Sequence, residues 1–366
     1  LIKKSNITFI YILGLFMSEV RTASTSGPEN KMSKPLAYMF IMIGIIALAF
    51  SAIMVKEANF EPATNAFLRC LVGFLVLIPF AVSEIKKKGL INKSGFALAI
   101  VAGIFLGLDM TSWNFAIFFI GAGISSILLN LQIIIMPLLA MTFDKFKPEK
   151  SFWFLVPIML FGIVLAGGVL EGGPSEGPST MWGYPIALVG TILGIKSGIC
   201  YALYLYTSRK SGTLNAGRYF QPLMWVFLAQ LIPAAIVMAT THGFNITTGV
   251  LVDGKLPLSA ADGSIAGDAI NMSNWIWIVI LGVVGHAVAW VFVQIGSVNL
   301  DPTVVAGLLL LSPITTVLVA PFTSGESVTL LQSIGVVIVL VAVAYQNGLH
   351  TAVLNKFKGE PAKVEG

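Results

Sequence analysis

Three ionisable side chains stand near the middle of apolar runs in this 366-residue sequence, Asp109, Lys196 and His286, and a fourth, Arg69, about two helical turns from the end of another. In hydrocarbon such a group costs roughly 2.5–3.5 kcal/mol, so it is kept where it binds, carries a proton or pairs with another charge. Lys196 shares its run with Gly190, Gly194 and Gly198, a small-xxx-small ridge along which two helices can approach closely. At about 100° per residue the amine points nearly opposite Gly194, with Cys200 one turn on. One face then packs while the other presents a charge. That charge suits a carboxylate-bearing solute or a transferred proton, and equally a structural ion pair with Asp109.

Asp109 and Trp113 stand four apart, as do His286 and Trp290, so each pair shares a helix face. An acid and an imidazole could line one cavity with the indoles as walls, and the same Trp residues could simply pack. Asn130 is the amide in the following run, on the face of Ser126, with Gln132 pointing roughly the other way; such amides bind solute or join helices. Tyr201 and Tyr204 follow Lys196 and suit either a gate or an interfacial belt. Lys56 and Arg69, near one end of their runs, can snorkel or act in gating and structure. Pro137 and Pro313 each remove a backbone bond within a run and permit a bend.

The elements that must position these residues are membrane helices. The sequence is 56% hydrophobic and only 11% charged, with a mean hydropathy of +0.89. A soluble domain carries about 25% charged residues, so this chain lacks the means to cover a water-facing surface. Runs near twenty residues long occur at 38–55, 62–82, 95–118, 121–142, 152–170, 184–206, 221–240, 274–296, 303–322 and 328–347, separated by Gly, Pro and charge clusters. The expected fold is an all-α membrane protein of about ten transmembrane helices. Before it, Lys3 and Lys4 precede an apolar run at Ile7–Phe16 too short to span. It has the pattern of a signal sequence, but the reading favoured is a tail over 1–37 without function, with a start at Met17 or Met32.

Charge sets the orientation. With the N-terminus inside, the inner loops hold Lys86, Lys87, Lys88, Lys93, Lys145, Lys147, Lys150, Arg209, Lys210 and Arg218, and the tail adds Lys356, Lys358 and Lys363. The outer loops hold Glu57, Glu61, Glu171, Glu176, Asp253, Asp262 and Asp268 with Lys255 as the basic exception. This positive-inside bias puts both termini in the cytoplasm and accounts for the net charge of +5 without nucleic acid. The membrane expected is the plasma (bacterial inner) membrane.

Five runs followed by five more invite a search for self-similarity. The run with Pro137 matches the run with Pro313, and the Asp109/Trp113 pair matches His286/Trp290 at an offset within one residue of the proline offset. An odd number of spans per half inverts the second half. The expected organisation is therefore a first five-helix repeat at 38–170, an outside linker at 171–183, an inverted second repeat at 184–347 and a cytoplasmic tail at 348–366. Inverted repeats place a solute site near the midplane between the halves.

Two stretches resemble the EamA-type transporters of the drug/metabolite transporter superfamily. FSAIMVKEANFEPATNAFLRCLVGFLVLIPF (50–80) is similar to the family's opening, with Lys56, Pro62 and Arg69 in place of its lysine, proline and arginine. SPITTVLVAPFTSGESVTLLQSIGVVIVLVAVA (312–344) is similar to its closing spans through Pro313, Gly325, Glu326 and Gly335. The first half departs from this, since MTFDKFKPEKS (141–151) lacks the Gly-Glu turn and has Asp144 or Glu149 nearest the acidic position. The resemblance implies ten helices, inverted five-helix repeats and export or import of small metabolites.

The function expected is secondary transport of an amino acid or related solute, with protons as a further partner, by a monomer or homodimer. An integral-membrane enzyme is the alternative, but no HExxH, GxSxG or paired Cys/His cluster occurs, and His242, His286 and His350 are scattered. No Walker A sequence is present, and a channel or sensor would need a filter or signalling domain not seen here. Cys70 and Cys200 read as packing residues. No cofactor or metal is implied.

Overall fold

Inside a bilayer no water is at hand for the backbone, so every N–H and C=O must be satisfied within the chain, and helices do this segment by segment. The computed structural model describes residues 32–166, 180–181, 184–242, 246, 270–312, 314–315 and 329–346. Its helices, in chain order, are α1 (Lys34–Ala58), α2 (Pro62–Lys88), α3 (Lys93–Leu129), α4 (Gln132–Asp144), α5 (Lys150–Ala166), α6 (Ile186–Leu214), α7 (Phe220–His242), α8 (Met272–Ile280), α9 (Ala289–Asn299), α10 (Pro302–Leu309) and α11 (Leu330–Gln346). A π-helical segment, Leu281–Val288, joins α8 to α9 without a break. Six of the described helical stretches are long and apolar enough to cross a membrane, and α4, α5 and α11 are shorter apolar helices.

Local sequence explains where the helices begin. Pro62 stands at the first turn of α2, and the Glu61 carboxylate caps it by accepting from Thr64 N at 2.9 Å. Asn271 and Asn274 cap α8 reciprocally, each side chain accepting from the other's backbone N–H. Pro302 opens α10. Pro79, Pro137, Pro157 and Pro233 lie inside helices that continue past them.

The third and fourth apolar runs are joined by helix rather than by the break expected at 118–121. Helical bonding continues through Leu129 and is interrupted at Asn130 and Leu131. Even so, α3 is not straight. Ser197 bonds Asp109, and a Cβ at the adjacent Gly198 would lie 2.2 Å from the Leu128 carbonyl. Through those contacts Asp109 and Leu128 are no more than roughly 20 Å apart. A straight helix between them would be about 28 Å long.

One small element is not helical. Thr180–Met181 (β1) pairs antiparallel with Tyr184–Pro185 (β2), where a plain linker to residue 183 is expected, and α6 starts immediately after it. Residues 1–31 of the N-terminal tail, most of the 171–183 linker, Pro313, Gly325, Glu326 and the 348–366 tail lie outside the described residues.

The helices touch through glycine. A Cβ at Gly103 would sit 2.2 Å from Val226 O and one at Gly107 2.4 Å from Gln230 O, so α3 meets the backbone of α7. A Cβ at Gly44 would lie 2.8 Å from Ala289 O and one at Gly296 2.5 Å from the Ile41 Cβ, so α1 and α9 lie close, and one at Gly162 would lie 2.8 Å from a Val339 methyl, bringing α5 against α11. Other extensive contacts run between α3 and α6, α2 and α7, and α4 and α10. Gly103→Ala should lower stability by about 1–3 kcal/mol, because the obstructing atom is backbone and has little room to give. A thermal melt of the purified protein checks this; an unchanged midpoint would mean that the two helices can part without cost.

Candidate functional site

Basic residues at the helix termini gather at one end of the bundle. There the Glu84 carboxylate accepts from the backbone N–H of Tyr219, Phe220 and Gln221 at 2.8–3.1 Å, capping α7 from α2. Asn92 N donates to Asn215 Oδ1 at 2.9 Å, and Ser211 Oγ donates to Gly95 O at 2.7 Å. Lys210 pairs with Asp144, tying α6 to α4. Arg209 donates to the carbonyls of Ser297 and Leu300 at 2.8 and 3.1 Å, closing the end of α9. This end is braced from many directions.

The candidate site lies further in. Asp109 is fully buried on α3. Ser197 Oγ donates to its Oδ1 at 2.5 Å, and its Oδ2 has no partner. One turn towards the acidic end, Trp113 is buried with its Nε1–H unpartnered. One turn from Ser197 towards the basic end, Tyr201 meets Trp290 edge-on at 5.9 Å, and Tyr204 meets the same indole at 5.0 Å. Trp290 Nε1 is also unpartnered. The three rings form a floor beneath the Asp109–Ser197 pair. Neither tyrosine belongs to an interfacial belt, since both are buried.

His286 sits in the π-helical segment, fully buried, with its ring 4.5 Å from Phe227. Its Nε2 lies 2.9–3.2 Å from the Gln230 side-chain amide, and its Nδ1 has no partner. This is a bond between helices. π turns are rare and concentrate at functional positions. Arg69 is 1% exposed, which overturns snorkelling for this residue. Its Nη2 donates to Ser51 Oγ at 3.0 Å, while Nε and Nη1 find no acceptor. Among the described residues Arg69 forms no ion pair.

Lys196 is placed elsewhere. The Gly194–Gly198 ridge packs on Leu128 as the spacing suggests, but the opposite face is the outer one. Lys196 is exposed there, beside the exposed Leu188, Ile192, Ile195 and Ile199. The residue that reaches Asp109 is its neighbour, Ser197. Asn130 is buried at the turn between α3 and α4 rather than along a helix face, and Gln132 Nε2 donates to Ala306 O at 3.1 Å, joining α4 to α10. Pro137 is buried within α4. Lys56 stands in the last turn of α1, its side chain outside the described set.

Ser197 and Gln230 are functional candidates that the sequence reading passes over. Gln230 carries the signal used for Asn130, a polar side chain in mid-run. Ser197 carries none, because serine in a membrane helix commonly bonds its own backbone.

The profile of the EamA-like transporter family matches residues 35–168, which span α1 to α5. Over that stretch the chain is similar to the EamA-like transporters. An uncharacterized transporter of Archaeoglobus fulgidus is 23% identical over 304 residues, covering 83% of this chain and 93% of that protein. A solved crystal structure superposes with a TM-score of 0.65 over 88% of this chain and 99% of its own, at 14% identity, a likeness of fold alone. With several apolar helices of spanning length and this match, the chain is a multi-pass membrane protein.

Proposed function

We propose that this protein is a secondary transporter that moves a small metabolite, an amino acid or a related solute, across the bacterial inner membrane by alternating access. The observation that carries the reading is the buried Asp109 carboxylate, held by Ser197 through one oxygen and open at the other, with the unpartnered indole N–H of Trp113 one turn along α3 and that of Trp290 among the aromatic rings near Ser197. Buried polar atoms without partners are costly and uncommon, and a solute or water would satisfy them. The same carboxylate is the group suited to carry a proton.

The moving parts are two inverted repeats, 38–170 and 184–347, with Asp109 from the first meeting Ser197 from the second. Support comes from the packing. α2 lies on α7, α4 on α10 and α5 on α11, each helix against its counterpart, and the α3–α6 contact has an equivalent in α8 and α9 against α1. The family match ends at residue 168, close to the end of the first repeat. With the basic end in the cytoplasm, together with both termini, the bracing there and the aromatic floor close the inner side in this conformation. Opening it requires the Asp144–Lys210 and Arg209 contacts to part.

Counterflow in proteoliposomes tests the proposal, with amino acids, nucleosides and cationic drugs as solutes and with and without a pH gradient. Accumulation of labelled solute driven by unlabelled solute on the far side is expected. Flux without counterflow would indicate a channel, and flux indifferent to the pH gradient would remove the proton. Lys196→Met is expected to leave counterflow within about twofold of wild type, since a charge on an apolar outer face costs rather than contributes. A large loss in that variant would return the lysine to the mechanism.

A further inference from the structure

We infer that Arg69 is an anion-binding residue of the solute site and takes a carboxylate carried by the transported solute. The inference rests on the transport reading and adds to it a residue and a ligand chemistry. Arg69 lies on α2 about 10 Å in from Pro62, where its side chain is buried. A guanidinium offers five N–H donors and cannot shed its charge. In this setting a structural arginine is surrounded by acceptors, because a buried charge left unpaired costs several kcal/mol. Arg69 has one acceptor, the Ser51 hydroxyl, and no ion pair with a carboxylate among the described residues. Its Nε and Nη1 are unused.

The neighbourhood is built in the same way. One turn towards the acidic end, Asn65 is fully buried with both amide atoms unpartnered. One turn the other way, Gly73 leaves room for His286, whose Cδ2 would be 2.5 Å from a Cβ there, and whose Nδ1 is free. Gln230 links His286 to the α3 crossing at Gly107, two residues from Asp109. Packed contacts therefore run from Arg69 to Asp109, with an unsatisfied cation at one end and an unsatisfied carboxylate oxygen at the other. A carboxylate on Arg69 fills the open fork, and a donor on the same solute reaches Asp109 Oδ2. Ser51 is a positioning residue that fixes the plane of the guanidinium.

Thermal stabilisation of the purified full chain tests this with the twenty common amino acids as probes. Each stabilising amino acid is compared with the amine and the amide that lack its carboxylate, and with acetate and chloride. Wild type is expected to bind the carboxylate-free analogues at least tenfold more weakly, with acetate and chloride giving little shift. In Arg69→Gln the amino acid and its amine should bind alike, and Arg69→Lys should recover part of the preference. A wild-type preference in Arg69→Gln, or equal binding of amine and parent by wild type, overturns the inference. Should Arg69→Gln fail to fold, the analogue comparison on wild type decides. Counterflow carried by carboxylate-free solutes alone would end the Arg69 assignment and leave transport standing. If no probe binds and no solute shows counterflow, both fall.

Discussion

Replacing Asp109 with Asn is expected to cut solute flux about 10- to 150-fold, the loss of one charge-assisted bond worth about 1.5–3 kcal/mol. The protein should remain folded. The amide keeps an oxygen for Ser197, so the 2.5 Å bond that joins α3 to α6 has an acceptor of the same shape. Two further effects oppose each other. A neutral amide is cheaper to bury than a carboxylate, and the bond from Ser197 loses its charge assistance. The melting temperature should therefore move by a few degrees at most, while counterflow collapses. Ser197→Ala provides the comparison. It leaves the charge but frees Oδ1, so its effect should fall on stability as much as on flux. If Asp109→Asn transports at the wild-type rate, the carboxylate is a packing residue and the solute site lies elsewhere.

The sequence is informative about this protein where one residue type answers one physical demand. Apolar runs mark spans because lipid demands them, and lysines and arginines collect at one end because membrane topology sorts charge. Arg69, Asp109 and His286 stand out because ionisable groups are expensive in mid-span, and all three are buried in the structure. Angular position is harder to read. The ridge of Gly194 and Gly198 says where α6 packs, but the face opposite a ridge can be cavity or lipid. The isoleucines at 192, 195 and 199 were the available signal that it is lipid, and they outweigh the one charge among them. A shift of one residue, from Lys196 to Ser197, turns about 100° around the helix and changes the partner of Asp109.

Other features depend on chain segments far apart in sequence. The Glu84 cap on α7 bridges more than a hundred residues, and nothing near Glu84 except a run of lysines distinguishes it. The π turn at Leu281–Val288 contains glycines like many regular helices do, and its wide bonding answers the approach of α1, α2 and α7 to Gly282, Gly285 and His286. The bend of α3 has no proline to announce it. Equal spacing of His286 and Trp290 with Asp109 and Trp113 predicts equivalent faces, yet only the second pair lies on a regular α-helix.

Trp290 separates packing from solute contact, because two substitutions remove different parts of it. Trp290→Ala is expected to cost about 3–5 kcal/mol of stability, since a large aromatic side chain is lost from the core. It also removes two edge-to-face contacts, to Tyr201 and Tyr204, each worth about 0.5–1.5 kcal/mol. The floor beneath Asp109 would then be open. Trp290→Phe keeps a ring against both tyrosines and removes the unpartnered Nε1–H. Eliminating a buried donor without an acceptor offsets much of the lost ring area, so stability should stay within about 1 kcal/mol of wild type. Solute affinity is the readout that moves. If the indole N–H completes its bonding on the solute, Trp290→Phe weakens binding about 2- to 12-fold, the equivalent of one neutral hydrogen bond. Chemical unfolding and solute titration on the same preparations measure the two effects. An affinity unchanged in Trp290→Phe and a loss in Trp290→Ala that follows stability alone would assign the indole to the core, and would place the solute on the Trp113 side of Asp109.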